Sequence, residues 1–482
     1  MRPPALLKLR VRLRSLLPLC LALAPLASAD TIVLKNGRRI AATNATEGGG
    51  KVTYETSAGE MSLPLSIVDR IDKDNMGPAA SAMNAANLGP VDVQSAGGSS
   101  DVPALAIHGK SVDYAYLANI DRDARAGDPD AIERAAVAHH VAAQYLFANG
   151  NVDLAIRQYQ QALDVAPQNT GLLLNLAVIY LRQSQFSAAI EWLEKARRVA
   201  PDSPDVAKLE GWAYYGANKL DQAVHEWERA QQLRPDPEVA EALEKAKRDK
   251  SEEESYHEGN TAHFALKYSG AATPQLAREI LRYLEDDFAD ISNQLGYTPP
   301  DQIGVILYTN QGFADITRAP AWVGALNDGR LRIPVQGLTN VTPDLARVMK
   351  HELTHSFVGQ KTHQRAPVWL QEGIAQYMEG ARSSQAAGSL LELSKAGISP
   401  QFATMESSWM NLSGSSVSLA YAWSLAAVEA IIDEGGMTDI DRLLDRVASE
   451  PSSEAALKDA LRENYSDLAS RTIAYLHRRY SH

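Results

Sequence analysis

The sequence predicts a multidomain chain with a small N-terminal β module, an α-helical repeat solenoid and an α+β domain. Three observations lead to this prediction. Polar and apolar residues alternate in short stretches over 30–72, and a 34-residue repeat runs from about 136 to 237. The segment His351-Glu352-Leu353-Thr354-His355 matches the pattern H-E-x-x-H. It lies within 256–482, where strands precede helices, as is typical of an α+β domain.

Residues 1–29 have the pattern of a secretory signal peptide. Basic residues end at Arg14, an apolar stretch covers 16–26, and Ala27-Ser28-Ala29 is a cleavage site of the A-x-A kind. The apolar stretch is too short to cross a bilayer. We therefore expect an exported chain, periplasmic or secreted, that starts at Asp30. No later run reads as a membrane span.

Composition excludes some classes of function. The chain has 47 basic and 59 acidic residues, and five of the basic ones lie in the predicted signal. The mature chain then has 42 basic residues against 59 acidic ones, a net charge of −17. Nucleic acid is a poor partner for such a chain, because its phosphates require basic patches. The single cysteine, Cys20, also lies in the signal, so we expect neither disulfides nor a thiolate metal ligand.

Residues 30–72 predict five short strands joined by tight turns. Asn36-Gly37 is a hairpin signal, and glycine-rich turns separate the later strands. We expect a small β-barrel-like module that docks a partner or caps the N-terminus. The next segment, 73–110, is rich in Ala, Gly, Ser and Asn and predicts a flexible linker.

The 34-residue repeat is visible in several registers at once. Prolines recur at positions 167, 201 and 235, alanines at 155, 189 and 223, and bulky residues at 159, 193 and 227. Small residues let paired helices approach, and proline ends the second helix. The pattern resembles the tetratricopeptide repeat. It predicts a repeat domain over 111–255 with units 136–169, 170–203 and 204–237, followed by a closing helix.

The remaining part, 256–482, is the candidate enzyme. An Asn327-Asp328-Gly329 turn predicts a hairpin between strands 321–326 and 330–335. Thr342 is a suitable N-cap for the helix that carries the motif, with proline at the next position. The other predicted elements are strands 263–268 and 303–308 and helices 274–296, 342–358 and 367–379.

On a helix, the motif places two imidazoles four residues apart on one face, where they can bind one metal ion. Glu352 then lies close to a metal-activated water and can act as a base. Candidates for the third ligand are His363, Glu372 and Glu379. His363 lies in a polar loop and is expected to be solvated, whereas Glu372 stands on a second helix beside Gly373. We expect that glycine to allow close packing of the two helices. Glu379 is nearer the end of the second helix, so we expect it at the surface or in contact with a metal ligand.

His-Glu-Leu-Thr-His-Ser-Phe, followed by Pro-Val-Trp-Leu-Gln-Glu-Gly-Ile-Ala-Gln-Tyr, resembles the gluzincin metallopeptidases. The similarity is greatest to bacterial peptidase MA-like domains, which are often fused to tetratricopeptide repeats. It covers about 345–382 well and the rest of 256–482 weakly. The resemblance implies a thermolysin-like fold, Zn²⁺ held by His351, His355 and Glu372, and Glu352 as general base.

Two further expectations follow from the resemblance. Gluzincins usually have a downstream donor that stabilises the oxyanion, and Tyr421 is the candidate, although a core tyrosine would have the same surroundings in sequence. An edge strand usually pairs with the substrate backbone, and 322–326 is the candidate strand, with Gly324 permitting close approach.

The preferred function is an exported zinc metallopeptidase, endopeptidase or aminopeptidase, whose repeat groove recruits a protein substrate or partner. One alternative is a repeat-based periplasmic interaction scaffold with an inactive peptidase-like domain. Another is a zinc hydrolase that acts on a cell-wall amide.

Overall fold

The structure is a computed structural model that describes 29–34, 39–48, 51–56, 59–65, 68–72, 88, 102–269, 272–309, 312–313, 325–335, 337–407, 409 and 414–481. The predicted signal up to residue 28, with Cys20, lies outside these ranges. So does most of the predicted linker.

Five antiparallel strands form the N-terminal sheet. They are β1 (Ala29–Leu34), β2 (Arg39–Gly48), β3 (Lys51–Thr56), β4 (Gly59–Pro64) and β5 (Val68–Asp72), in the order β4-β3-β2-β1-β5. The register shifts between Thr43 and Thr46, where β2 pairs with β3. Such an irregularity bends the strand and increases its twist.

Regular structure begins earlier than the predicted linker boundary at residue 110. Helix α1 (Val102–Ala106) leads into a small hairpin of β6 (Ile107–His108) and β7 (Ser111–Val112), and then α2 (Tyr114–Arg125). Val102 and Ala106 are buried in the core of the repeat domain. The prediction of a flexible linker is therefore wrong for 102–110, because its apolar side chains pack against the helices.

Three helix pairs occupy the predicted repeats, and an additional helix closes the array. The pairs are α3 (Pro129–Ala148) with α4 (Val152–Val165), α5 (Thr170–Arg182) with α6 (Phe186–Val199), and α7 (Pro204–Gly216) with α8 (Leu220–Leu233). The closing helix is α9 (Pro237–Glu253). Small residues set the spacing, since a methyl group at Gly211 would lie 2.3 Å from the Trp227 ring.

A second five-stranded sheet organises the C-terminal part. Its strands are β8 (His257–Asn260), β9 (Phe264–Tyr268), β10 (Ile303–Tyr308), β11 (Leu326–Asn327) and β12 (Arg330–Pro334), in the order β11-β12-β10-β9-β8. Strand β10 is parallel to both β9 and β12, whereas β11 is antiparallel to β12. The predicted hairpin is confirmed in part: its second strand and its turn are present, whereas 321–324 of the predicted first strand lies outside the described residues. Among the described strands, β11 is an edge strand.

Each face of this sheet is covered. Val305, Leu307 and Leu331 point into the main C-terminal core, where they join helix α10 (Pro274–Leu295) and helix α11 (Pro343–Lys361). The alternate residues face the repeat array instead. Among these, Arg330 and Arg332 are almost fully buried and form ion pairs with residues of α9. The sheet therefore lies between the helices of its own domain and the end of the repeat array.

The rest of the described C-terminal part is helical. It contains α12 (Val368–Met378), α13 (Ala387–Lys395), α14 (Gly414–Gly435), α15 (Met437–Ser449), α16 (Ser453–Leu461) and α17 (Tyr465–Tyr480). By length and composition, the stretch Ser416–Gly435 could cross a membrane, contrary to the expectation from the sequence. A buried core helix has the same composition, and Trp423, Ala427 and Ile431 of α14 are buried in the C-terminal core.

Candidate metal centre

The motif lies on α11, whose start and packing follow directly from its sequence. The Thr342 hydroxyl accepts a hydrogen bond from the Leu345 amide at 3.2 Å, and proline occupies the first turn. The expected N-cap is therefore confirmed. Leu353 and Phe357 are fully buried against the sheet and α10. These contacts leave His351 and His355 on the opposite side of the helix, where each side chain is slightly less than one-fifth exposed.

Glu372 is held on α12, which packs against α14. A methyl group at Gly373 would lie 2.5 Å from the carbonyl oxygen of Ser424 on α14. The sequence prediction that Gly373 brings α12 close to the motif helix is therefore wrong, because the close approach is to α14. The Gln376 amide further links the two helices by donating to the backbone oxygens of Glu372 and Tyr421, each at 3.1 Å.

The structure brings three of the predicted metal-binding side chains together. Glu372 Oε2 lies 3.4 Å from His351 Nε2 and 3.7 Å from His355 Nε2. One donor atom from each of the three residues lies within 4.8 Å of the others. Glu372 Oε2 is buried and has no hydrogen-bond partner in the described part of the chain. A buried carboxylate oxygen in this state is costly unless a cation lies beside it.

Burial and neighbouring charges shift the pKa values of His351, Glu352 and Glu372. Burial opposes the imidazolium form of His351, but the carboxylates of Glu372 and Glu379 outweigh burial and raise the pKa of His351 to about 10. Burial raises the pKa of Glu352, and the two motif histidines offset this only in part. The pKa of Glu372 is lowered, since His355 and His351 outweigh the effect of burial. A raised pKa suits a group that must accept and release a proton near neutral pH.

Tyr421 lines the same cavity as the motif. The cavity has a volume of about 300 Å³ and is lined by Ala325, Val348, His351, Glu352, Gln376, Glu379 and Tyr421. Burial, together with the negative charges of Glu372 and Glu352, raises the pKa of Tyr421, so its hydroxyl stays protonated. Its ring packs edge-on against Trp409 at 5.0 Å between centroids.

The predicted substrate strand is described only in part. Trp322, Val323 and Gly324 lie outside the described residues. Ala325 lines the cavity, and β11 continues from it along the edge of the sheet. The position of β11 is compatible with strand addition, in which a substrate backbone pairs with an exposed edge.

Two further residues contact the motif, and of these only Asn327 was missed by the sequence analysis. Glu379 Oε2 lies 3.4 Å from His351 Nδ1, the ring nitrogen that faces away from Glu372, and so orients this imidazole. The Asn327 amide donates to the Glu352 backbone oxygen at 2.8 Å and to the Ser356 hydroxyl at 2.7 Å. Of the two positions expected for Glu379, the surface or contact with a metal ligand, the structure shows the second. For Asn327, the sequence predicted only a place in the hairpin turn.

His363 does not join the cluster. Its Nδ1 lies 3.2 Å from Gln183 Nε2 of the repeat array, and its ring is half-buried, which lowers its pKa. The expectation that His363 is solvated is therefore wrong, since the loop that carries it packs against the repeats. His363 was not expected to be a metal ligand, and its position against Gln183, away from the three clustered side chains, agrees with that expectation.

The donor set fits Zn²⁺. Two imidazole nitrogens and one carboxylate oxygen are a common ligand set of catalytic zinc sites, which keep one position open. Glu372 Oε2 makes no hydrogen bond in the described part of the chain, and a bound cation would compensate its burial, as the nearby imidazoles do in part.

Comparison with known proteins bears on the repeats. A family model described as tetratricopeptide repeat matches residues 146–213. The chain is 34% identical over 94 residues to "Protein CTR9 homolog" of Arabidopsis thaliana, a match that covers 19% of this chain and only 9% of that protein. The NMR structure of the first TPR domain of the human RPAP3 protein aligns with a TM-score of 0.24 and 26% identity, over 25% of this chain and 94% of that chain.

The chain thus contains tetratricopeptide repeats, as the 34-residue period predicted. The family match runs from the end of α3 to α7 and includes the whole of α4, α5 and α6. Repeats of this kind bind other proteins, which supports an interaction module. The peptidase resemblance, zinc and export stay predictions.

Proposed function

We propose that this chain is an exported zinc-dependent hydrolase of peptide bonds that carries a tetratricopeptide-repeat interaction module. The observation that carries the proposal is the convergence of His351, His355 and Glu372, with one carboxylate oxygen buried and lacking a hydrogen-bond partner among the described residues. Glu352 on the same helix supplies a base whose pKa burial raises.

The side chains divide the chemistry as follows. His351, His355 and Glu372 would hold the ion, which supplies Lewis acidity and makes water nucleophilic near neutral pH. Glu352 accepts a proton from the attacking water and passes it to the leaving amine. Tyr421 keeps its proton and can donate a hydrogen bond to the oxygen on which negative charge develops.

Metal analysis tests the ligand set. Purified mature protein should contain one zinc per chain, and Glu372→Ala should bind zinc much more weakly because one of three donors is lost. Glu392→Ala is a matched control, since it removes a carboxylate that is exposed and pairs only with Lys395 among the described residues. Zinc binding by Glu372→Ala that equals the control would exclude Glu372 as a ligand.

A second variant tests the base. Glu352→Gln should keep its fold and its zinc but lose cleavage of fluorescein-labelled casein by about 10²-fold or more, the scale expected for a general base. Equal cleavage by wild type and variant would contradict this mechanism. The same variant, incubated with proteins of the native compartment and analysed by mass spectrometry, should retain the natural substrates.

A repeat-based interaction scaffold with an inactive peptidase-like domain is the second candidate. The comparisons favour it, because the family match lies in the repeats. A protonated His351 beside Glu372 would also stabilise this carboxylate without an ion. If wild-type protein lacks zinc and cleaves neither casein nor cell-wall amides, while still binding a partner protein, the scaffold is the better description.

A further inference from the structure

The boundary between the repeat array and the C-terminal sheet contains a buried cluster of charged side chains, and Lys267, which is 19% exposed, lies at its edge 3.2 Å from Glu253. Three cations face three carboxylates, and the side chain of each is no more than 7% exposed. The cations belong to Lys245, Arg330 and Arg332, and the carboxylates to Asp249, Glu253 and Asp328. Breaking one buried ion pair leaves an uncompensated charge, so such a cluster fixes the relative position of the groups that form it.

Asp249 of the cluster lies at a position that recurs every 34 residues along the repeats. Leu181, Tyr215 and Asp249 are spaced by 34 residues and so occupy the same position on the first helix of successive units. Arg332 Nη2 donates to the Tyr215 hydroxyl at 3.0 Å and to Asp249 Oδ2 at 2.9 Å. Residues at this repeated position on α7 and α9 therefore contact β12 of the C-terminal sheet.

The turn of the β11–β12 hairpin is anchored to the array by one of these pairs. Lys245 Nζ donates to Asp328 Oδ2 at 2.6 Å, and Arg332 Nε donates to Asp328 Oδ1 at 3.0 Å. In the described part of the chain, β11 pairs with β12 through two residues, which by themselves hold a hairpin weakly. The ion pair with Lys245 therefore contributes to fixing the turn.

The residue before Asp328 continues the connection to the motif helix. Both amide protons of Asn327 are used, one by the Glu352 backbone oxygen and one by the Ser356 hydroxyl. Its side-chain oxygen accepts from the Gly329 amide at 3.1 Å and closes the turn. A shift of the turn would thus displace the only amide side chain seen bridging to Glu352 in the described residues.

We propose that Lys245 and Asn327 are positioning residues, through which the closing helix of the repeat array holds the edge strand and the backbone of Glu352 in register. The proposal rests on the proposed hydrolase function. It assigns the repeat array a part in shaping the site, in addition to any partner that the array binds.

Three substitutions at one end of the connection separate positioning from bulk stability. Lys245→Met removes the ammonium group while Arg332 remains as partner to Asp328, and Lys245→Arg restores a donor. Lys247→Met, on the same helix, breaks a pair with Glu228 that is more than 40% exposed and serves as control. Asn327→Ala removes the inner contact.

Amide hydrogen exchange of the full chain is the first readout. Lys245→Met and Asn327→Ala should each raise exchange in 326–330 and 350–356 by about tenfold over the Lys247→Met control, and Lys245→Arg should return it to near the wild-type rate. In casein cleavage the first two should lower kcat by about tenfold with KM and zinc per chain unchanged. A general loss of folding would instead lower zinc content in proportion to kcat.

The outcomes distinguish this inference from the proposed function. Exchange and cleavage in Lys245→Met and Asn327→Ala that match Lys247→Met would overturn the positioning role, even if wild type is a zinc hydrolase. If wild type neither binds zinc nor cleaves casein, the hydrolase proposal fails. The positioning role in catalysis then fails together with the hydrolase proposal. Altered hydrogen exchange in the variants would in that case show only that Lys245 and Asn327 stabilise the local structure.

Discussion

Asp249→Asn should be among the most destabilising conservative substitutions in the chain. Asp249 is fully buried and accepts four hydrogen bonds, two from Arg332 at 2.9 and 3.1 Å, one from Tyr215 at 2.6 Å and one from Arg330 at 3.4 Å. Asparagine has nearly the same volume but no charge. Its amide protons would also face guanidinium and hydroxyl donors.

The expected magnitude follows from the charge balance. The substitution leaves three buried cations against two carboxylates, and an uncompensated buried charge costs about 3–5 kcal/mol. Urea unfolding at pH 7, followed by tryptophan fluorescence, measures the free energy of unfolding. Tryptophans lie in both parts of the chain, so a split transition would also show whether the contact between them is lost first.

Glu244→Gln is the matched control, since Glu244 lies on the same helix and is exposed. We expect it to change the free energy of unfolding by less than about 0.5 kcal/mol, as is usual for surface positions. A loss below about 1 kcal/mol for Asp249→Asn would mean that the cluster is hydrated or rearranged, and the argument from uncompensated charge would be wrong.

Three further predictions concern acid, packing and the oxyanion donor. Guanidinium and ammonium groups outweigh burial and hold the pKa values of Asp249 and Asp328 below their usual range. The stabilisation from these carboxylates is therefore complete above the unfolded pKa of about 4 and is lost as pH falls further. The difference in unfolding free energy between wild type and Asp249→Asn, measured at pH 7, 5 and 3, should shrink mainly between pH 5 and pH 3. Gly373→Ala should cost about 1–3 kcal/mol by overpacking and weaken zinc binding, whereas Gly388→Ala, with open space around it, should not destabilise. Tyr421→Phe should retain zinc and lower casein cleavage by about 10²-fold, as loss of one oxyanion donor does, and an unchanged rate would leave it a packing residue.

The sequence by itself determined the features that depend on local periodicity. A helix needs a cap and an apolar face, and α11 has both within its own residues, so its start at Pro343 could be predicted. The repeat could be predicted for the same reason, because each unit carries the small and large residues that its own helix pair requires. Element ends were less accurate: α11 continues to Lys361, three residues past the predicted end.

The meeting of Glu372 with the two motif histidines could be expected only through a family resemblance. Spacing alone left His363 and Glu379 as alternatives, since a loop between two helices can bring any of them near the metal. The helix packing removed this ambiguity: α12 is positioned by its contact with α14 at Gly373, an element more than forty residues away in sequence.

Only the tertiary structure decided the environment of β12. Arg330-Leu331-Arg332-Ile333 alternates charged and apolar residues, a pattern that predicts one solvated face. In the fold this charged face is buried, because α9 supplies Asp249 and Glu253 from a domain whose own periodicity contains no sign of the contact. Alternation specifies which residues share a face, but the cost of burying a charge depends on partners that the fold brings from far along the chain.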